Sequence, residues 1–367
     1  MTKTSLGLAA AFLTTSALTA SAAGIERTAP SSRILFEDGR YFELSASVVS
    51  PDLSGEGGLL SPTGSTGDLL ESFASFGVAY KADLTDRVSY ALTFGTPWGV
   101  NTEYPAVATS GYSGTSADLN SYALTGILSF EVTPNITAYG GIVGQYVEAE
   151  AFFPFGGALG LAGPYDVDAK GDYGVGFMGG VAYERKDIAL RVALTYYSEI
   201  EHELSTTENN GGTLSDTSTD FITPQSVKLE FQTGIMKDTL LFGSVRWVDW
   251  SEFEIAPPVF TAGVGAPLVD YEEDWITYTL GIGRKFNENW SGAVQASWEP
   301  ATDTQLTTLG PIDGRWSVGL SASYEFDNTK ITGGITYISL GEANNFAGTT
   351  FDDGSALAAG VRVGWYF

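Results

Sequence analysis

Cysteine is absent from the 367 residues, histidine occurs once, and charged residues make up only 17% of the chain. The lack of cysteine excludes disulfides, thiol catalysis and cysteine-ligated zinc or iron–sulfur sites. A single histidine offers little to a histidine-dependent hydrolase or a metal centre, so we expect no enzyme activity, no metal site and no cofactor. Beyond residue 23 the chain also lacks the roughly 18 to 20 consecutive apolar residues that a membrane-spanning helix requires.

Basic residues are scarce as well. The chain has 18 Lys and Arg against 44 Asp and Glu, which gives a formal net charge of -26. A nucleic-acid partner is therefore excluded, because phosphate binding needs the opposite sign. Most of the acidity lies in segments that we predict to be loops, where solvation explains it. The alternative is divalent-cation bridging to outer-membrane lipid and lipopolysaccharide.

The first residues, 1–23, are predicted to be a secretory signal peptide. Lys3 supplies a positive start, residues 6–18 are apolar and alanine-rich, and Ala20-Ser21-Ala22 is typical of a cleavage site. The mature protein is therefore expected outside the cytoplasm.

What the chain has in abundance is glycine and aromatic residues, with 45 Gly, 21 Phe, 18 Tyr and 8 Trp. Apolar residues alternate with polar or small ones in segments of about 10 to 14 residues, the period of a strand with one lipid-facing side. Residues 41–367 are therefore predicted to be all-β, forming a transmembrane antiparallel β-barrel of 14 strands. The predicted strands are 41–49, 72–83, 87–96, 119–132, 136–149, 171–184, 188–200, 224–236, 239–253, 274–286, 290–299, 315–326, 329–340 and 357–367.

The predicted connections alternate between tight turns and segments of about 15 to 24 residues. Turn-forming residues occupy the tight ones, at 83–86, 133–135, 184–187, 237–238, 287–289 and 327–328. Short periplasmic turns and long external loops are the pattern of the bacterial outer membrane, which predicts that location with both termini periplasmic.

Aromatic residues cluster at the predicted strand ends, where rings favour the membrane–water boundary. They include Tyr80, Trp98, Trp275, Trp290, Trp298 and Trp365. The last strand alternates outward and stops on Phe367, a pattern that predicts recognition by the outer-membrane assembly machinery. We expect a monomer.

A barrel of 14 strands is too wide for its lining side chains to fill, so something must plug it or leave a pore. Residues 24–40 precede the first strand and fit no membrane-facing pattern. Their charges, with Arg27 and Arg33, and the apolar run Ile34-Leu35-Phe36 predict a hatch that packs in the lumen. A disordered periplasmic tail is the alternative.

The third long loop, residues 151–165, contains no charged residue and would expose an apolar cluster. Exposed apolar patches normally mark interaction sites, which predicts capture of a hydrophobic substrate. Packing against neighbouring loops or into lipopolysaccharide is the alternative. The cluster consists of Phe152, Phe153, Phe155, Leu159 and Leu161.

Several basic residues face the lumen by alternation, and arginine can hold a carboxylate through two hydrogen bonds. The candidates for substrate binding are Arg191, Arg246, Arg315 and Arg362. Ion pairing across the lumen, with Glu131, Glu230 or Glu325, is the alternative.

The chain resembles the FadL/TodX-type outer-membrane transporters of long-chain fatty acids and other hydrophobic compounds. The resemblance is carried by GIER and ILFEDGRYFELS near the N-terminus, by Trp247-Val248-Asp249-Trp250-Ser251-Glu252-Phe253, and by Trp298-Glu299-Pro300-Ala301. It implies a hatch in the lumen, capture by extracellular loops and lateral exit near the third strand, where Gly95 and Pro97 could interrupt pairing. Well-known members have a longer N-terminal region with an Asn-Pro-Ala motif, which this chain lacks.

These observations together predict a passive outer-membrane transporter for long-chain fatty acids or other hydrophobic small molecules. In this hypothesis extracellular loops capture the molecule and a wall opening releases it sideways. The alternative is a general diffusion porin with an open aqueous channel.

Overall fold

The computed structural model describes residues 25–107, 110–302 and 304–367. The predicted signal peptide lies outside the described residues. None of the helices within the described ranges has the length and hydropathy to cross a membrane.

The structure is a closed antiparallel β-barrel of 14 wall strands, as predicted. Three of the strands, the third, seventh and eighth, are interrupted and have two parts each. The strands are β1 (Tyr41–Gly57), β2 (Phe73–Asp83), β3 (Val88–Gly95 and Gly99–Glu103), β4 (Ser116–Thr133), β5 (Ile136–Phe153), β6 (Tyr165–Arg185), β7 (Leu190–Tyr197 and Ile200–Asn210), β8 (Thr213–Thr223 and Ser226–Met236), β9 (Thr239–Val248), β10 (Trp275–Lys285), β11 (Trp290–Glu299), β12 (Arg315–Phe326), β13 (Thr329–Leu340) and β14 (Thr350–Tyr366).

The last strand closes the barrel against the first. Over most of its length β14 pairs with β1 on one side, with Leu44 opposite Val363, and with β13 on the other. The Phe367 amide then donates to the Arg40 carbonyl at 3.0 Å. Closure removes the free edge that an open sheet would expose.

One rim of the barrel, which we call the turn end, carries all six predicted tight turns between consecutive strands. Asp238 and Asp327 adopt positive φ there, at 57° and 48°, a conformation that aspartate tolerates better than most residues. The opposite rim, the loop end, carries the long connections.

The alternation predicted for the wall is confirmed. Leu124 and Leu128 of β4 are 56% and 59% exposed, and Trp316 and Leu320 of β12 are 48% and 55% exposed. These side chains lie on the outer face of the wall, while their neighbours in the strand face the lumen.

Two of the tryptophans expected at the membrane boundary are instead buried, so that prediction is wrong for them. Trp98 and Trp275 are only 6% and 4% exposed, and both pack edge-on or tilted against Trp250 inside the loop end. Trp290 and Trp298 do lie on the outer face.

Several strands continue beyond their predicted ends at the loop end. Because β5 reaches Phe153 and β6 begins at Tyr165, the predicted third loop shrinks to residues 154–164, with a 3-10 helix at Gly156–Leu159. The connection predicted between the seventh and eighth strands, residues 201–223, contains His202 and is mostly strand as well. Between β9 and β10 a longer connection contains the 3-10 helix Trp250–Glu252, a two-stranded ribbon (Glu254–Ile255 with Val269–Asp270) and the single α-helix of the described residues, α1 (Pro258–Val264).

Candidate functional site

The N-terminal segment lies inside the barrel. Residues 25–40, called the hatch below, run from the loop-end half of the lumen toward β1 and contain the 3-10 helix Arg33–Phe36. Ile34 and Leu35 are buried against a lumen-facing cluster that includes Ile127, Tyr139 and Met178. The apolar run Ile34-Leu35 thus packs inside the barrel.

Ion pairs fix the hatch at the side nearer the turn end. The Arg33 guanidinium lies 2.6 Å from Glu37 and 2.5 Å from Glu43, and Glu43 also lies 3.2 Å from Arg362 of β14. Burial alone would lower the pKa of Arg33, but the carboxylates of Glu43 and Glu37 raise it above its ordinary value. The predicted lumen residue Arg362 is therefore part of the hatch anchorage.

The other lumen arginines are engaged as well. Arg246 of β9 pairs with Glu26 of the hatch at 2.6 Å, both side chains being about 6% exposed. Arg191 lies over the Phe36 ring, 4.3 Å from its centre, and donates to Gln232 at 3.1 Å.

Arg315 lies 3.5 Å from Glu299 of the neighbouring strand. The ion-pairing alternative therefore describes Arg246, Arg315 and Arg362, although with other acids than those we expected.

An apolar cavity lies between the hatch and the loop end, with about 690 Å³ of empty space that is partly open to solvent. Ile25 forms part of its boundary on the hatch side, and the walls come from β4 to β8. Asp118, Glu150, Thr219 and Thr307 touch it too, but most of its lining residues are small or apolar. They include Ala117, Leu119, Ala151, Val167, Ala169, Leu204 and Phe221. No lysine, arginine or histidine is among the described residues that line it.

The connection between β9 and β10 covers this cavity, and we call residues 255–271 the roof. Ile255, Pro257, Leu268, Val269 and Tyr271 line the cavity from this side. Burial raises the pKa of the Tyr271 hydroxyl above its ordinary value, so the phenol stays neutral.

A fully buried carboxylate ties the roof to the wall. Glu208 of β7 accepts hydrogen bonds from the Tyr165 hydroxyl at 2.7 Å and from the Thr217 hydroxyl at 2.8 Å. It also accepts from the amides of Val259 at 3.1 Å and Phe260 at 2.9 Å, in the first turn of α1. Charge-assisted bonds of this kind are stronger than neutral ones, so Glu208 acts as the latch of the roof.

The predicted capture residues lie beside the roof and, within the described part of the chain, none of them lines the cavity. Phe153 and Leu161 are buried, with the Phe153 ring 5.8 Å from that of Phe260. The expectation of an exposed cluster is therefore wrong for these two residues, which pack against neighbouring loops. Phe155 and Leu159 are partly buried against the same core, and Phe152 lies on the outer side, 37% exposed.

The wall is interrupted in β3, between Gly95 and Gly99. The last pair between β2 and β3 is Gly77 with Gly95, and pairing with β4 also stops there and resumes at Gly99. In the break, the Pro97 carbonyl accepts from the amides of Arg27 at 2.8 Å and Thr28 at 3.1 Å. The hatch thus satisfies backbone groups that a neighbouring strand would otherwise use.

A window results between residues 72–76 and residues 96–100. Its far edge is formed by the chain ahead of β2, where the Glu71 amide donates to the Asn101 carbonyl at 3.1 Å. A second cavity lies behind the window in the lumen and is lined by Ser75, Thr96 and Pro97, among others. Neither the Ser75 nor the Thr96 hydroxyl has a hydrogen-bond partner among the described residues.

The Arg27 side chain occupies the part of the window nearest the loop end. Its guanidinium donates to the Asn101 and Asn120 side-chain oxygens, the latter at 3.3 Å, and lies 5.1 Å from the centre of the Phe73 ring. Burial lowers the pKa of Arg27 from its ordinary value, and Asp118 partly opposes that shift; the side chain remains charged.

Sequence reasoning identified Arg27 but missed Ile25, Glu26 and Glu208. The first two lie within the predicted hatch, in a stretch too short to show a periodic pattern. Glu208 alternates in phase with the buried residues Leu204 and Thr206. Predicting this segment as a strand would therefore have placed Glu208 on its inner face.

His202, the single histidine, is buried, stacks on Phe221 and lies 2.9 Å from the Gln145 side-chain oxygen. Within the described ranges no group of three or more histidine or acidic side chains is arranged to hold a metal ion.

Comparison with known proteins supports the architecture. A FadL homologue from Pseudomonas aeruginosa is 14% identical with a TM-score of 0.76, over 90% of this chain and 91% of that one. The Pseudomonas putida toluene transporter TodX (15% identity, TM-score 0.65) and the Ralstonia pickettii toluene transporter TbuX (14%, 0.62) each match over 90% of both chains. At these identities the likeness concerns the fold.

Residues 2–362 match the sequence model of a family described as outer membrane protein transport protein (OMPP1/FadL/TodX). No curated protein sequence matches the chain significantly.

Proposed function

Since the chain belongs to the outer membrane protein transport family (OMPP1/FadL/TodX), we propose that it carries an uncharged hydrophobic small molecule passively across the outer membrane. The molecule enters at the loop end, occupies the apolar cavity and leaves sideways through the window beside Gly95 and Pro97. In this orientation the loop end faces the outside, and β1 begins and β14 ends on the periplasmic side.

The observation that carries the proposal is the lining of the apolar cavity. An apolar solute gains about 25 cal/mol for each Å² removed from water, whereas a carboxylate buried without a partner is costly. A cavity with no described basic lining residue therefore suits a neutral molecule better than an ionised fatty acid. Two structural relatives bear the name of toluene transporters, which fits a neutral cargo.

Three of the four lumen arginines are poorly suited to hold a carboxylate in this arrangement. Arg246, Arg315 and Arg362 already lie within 2.6–3.5 Å of protein carboxylates, and a fatty acid bound at any of them would have to displace one of these acids. Arg191 lies against the Phe36 ring and donates to Gln232. We therefore place the fatty acid second to a neutral cargo.

For the apolar loop we propose an access role. Phe152 lies on the outer side and Phe155 is partly buried beside the roof, so both are placed to guide an apolar molecule toward the cavity. Phe153, Leu159 and Leu161 would hold the loop in place.

The test is uptake of labelled toluene and labelled oleate by host cells that have no other transporter of this family. Ala169→Phe would fill the cavity from its wall, and we expect toluene uptake to fall to the level of cells without the protein. Ala322→Phe, on the outer face of β12, adds the same ring facing lipid and is expected to leave uptake unchanged. Toluene uptake by the Ala169→Phe variant equal to that by the Ala322→Phe variant would refute the proposal. Uptake of oleate but not of toluene by the parent protein would favour the fatty acid as cargo.

A planar-bilayer recording tests the plugged lumen. With the hatch anchored by its ion pairs, we expect no large steady conductance from the intact protein. A stable open level in the nanosiemens range would instead indicate a general diffusion porin.

A further inference from the structure

We propose that Arg27 is the gate residue of the wall, closing the window between β2 and β3 from inside by placing its guanidinium within it. This inference rests on the proposed lateral exit and names the side chain that must move before a molecule can leave that way. Its support is the position of Arg27 relative to the two faces of the wall.

The direction of the Arg27 side chain follows from the register of β3 and β4. Leu119 and Ser121 of β4 are buried inside, so Asn120 between them faces outward. Gly99 of β3 is paired with Asn120 and shares its face. The Arg27 backbone lies in the lumen, and its guanidinium contacts both the inward-facing Phe73 ring and the outward-facing Asn120, so it lies within the thickness of the wall.

Gly99 leaves the space through which the side chain passes. A Cβ added to Gly99 would lie 2.2 Å from Nε, 2.3 Å from Cζ and 2.8 Å from Cδ of Arg27. Any other residue at position 99 would thus compete with the guanidinium for the same place. The glycine and the arginine form a matched pair within the window.

The gate is held by bonds that can be broken. The Arg27 guanidinium donates to the neutral amide oxygens of Asn101 and Asn120, while Asp118 acts on it at longer range. A hydrogen bond to a neutral acceptor is weaker than one between two ionised groups. Arg27 is therefore held less firmly than Arg33, which touches two carboxylates.

The neighbouring residues connect this gate to the rest of the path. Ile25 faces the apolar cavity, Glu26 reaches across the lumen to Arg246, and Arg27 enters the window. If the Arg27 side chain withdrew, the window would open into the second cavity, which is lined by Ser75 and Thr96.

The test follows the accessibility of a single thiol behind the window. Ser75→Cys places the thiol on the lumen side, at a position where the natural serine is 7% exposed. The natural chain has no cysteine, so this thiol is the single labelling site. The protein is reconstituted in vesicles and labelled either with the lipid-soluble N-cyclohexylmaleimide or with a charged, water-soluble maleimide. No cargo is needed, so a failure of toluene uptake would leave this test unaffected.

In this background we compare Arg27→Ala, which removes the gate, with Gly99→Ala, which displaces it by collision. Both should raise the rate of labelling from the lipid phase by about 10- to 100-fold, as expected when a minor open state becomes dominant, with the water-soluble rate unchanged. The double variant should equal Arg27→Ala, since the added methyl then has nothing to displace. Arg185→Ala, in an exposed turn, is the matched control.

A parental lipid-phase rate in either single variant would overturn the proposal. So would an equal rise with both reagents, because that result means that the lumen opened rather than the wall. Gel mobility without heating confirms that each variant is folded before its rate is compared.

Discussion

Removing the Glu208 latch should loosen the roof of the apolar cavity without unfolding the barrel. The change is Glu208→Gln, which keeps the size of the side chain. One carboxylate oxygen accepts from Thr217 and Val259, and the other from Tyr165 and Phe260. An amide nitrogen cannot accept, so whichever way the glutamine lies, two of the four donors lose their partner.

The size of the effect follows from these bonds. A hydrogen bond to a charged group contributes about 1.5–3 kcal/mol, and a buried donor left without a partner costs a similar amount. Because only one of the two lost donors belongs to α1, and the remaining bonds lose their charge, we expect the roof to lose about 2–4 kcal/mol of local stability. At about 1.4 kcal/mol for each factor of ten, local opening becomes roughly 30- to 700-fold more frequent.

Hydrogen exchange of the peptide that contains α1 measures this opening directly. The amides of Phe260, bonded to Glu208, and of Gly265, bonded to the Thr261 carbonyl at 2.8 Å, should exchange faster by that factor. Strands β12 and β13, far from the latch, should keep their protection. Glu203→Gln is the matched control, because Glu203 lies on the same strand but faces outward. Unchanged exchange in α1 of the Glu208→Gln protein would refute the latch.

Three further changes test the wall and the hatch. Glu26→Ala leaves buried Arg246 without its carboxylate and should cost about 3–5 kcal/mol, seen as a lower thermal midpoint that the added change Arg246→Ala partly restores. Leu320→Arg places a charge on the lipid-facing side of β12 and should cost about 2–4 kcal/mol in urea unfolding from lipid vesicles; a loss equal to that of Leu320→Ala would contradict the orientation of the strand. Asp238→Val forces a branched residue to positive φ in a two-residue turn and should cost about 1–3 kcal/mol in the same assay, whereas Asp238→Gly should cost nothing.

The membrane-spanning part of the wall could be predicted because lipid imposes a strict rule on it. In β4 and β12 every second residue faces hydrocarbon, so apolar and polar side chains must alternate. The same alternation set the register and the tight turns. Nothing in this reasoning required knowledge of contacts between distant residues.

The strand extensions at the loop end escaped prediction for the complementary reason. Ile200–Asn210 alternates too, but its outer face carries Glu201 and Glu203 while its inner face holds His202, Thr206 and Glu208. Beyond the membrane both faces of a strand accept polar residues. The strand therefore has no consistently apolar face from which it could be predicted. Such a segment has the composition of a loop.

The aromatic residues show the limit of a composition rule. Tryptophan near a strand end fits both a ring at the membrane boundary and a ring packed inside the barrel mouth. The Trp298 ring lies on the outer face and the Trp275 ring is packed inside the barrel mouth. The face on which each ring lies is fixed by its place in the strand register. Trp98 lies in the break of β3, where the backbone turns inward and alternation no longer applies.

The candidate site depends on contacts that a sequence does not display. Glu26 meets Arg246 across 220 residues of chain, and Glu208 meets Phe260 across 52. The charges of Arg27 and Arg33 were apparent, but not that one would reach a window and the other an ion-pair cluster. Only closure of the barrel brings these partners together.

The two ends of the lumen differ in a way that favours a sideways route. Below the hatch helix a neutral molecule would have to separate Arg33 from Glu37 and Glu43, leaving buried charges without partners, which is strongly unfavourable. At the window it would have to displace one guanidinium from two neutral amides, after which the hydrocarbon phase receives it without exposure to water. The Arg33 contacts of the hatch thus lie where passage would be aqueous, and the Arg27 contacts lie where it would be apolar. For a hydrophobic cargo, the smaller barrier is the one through the wall.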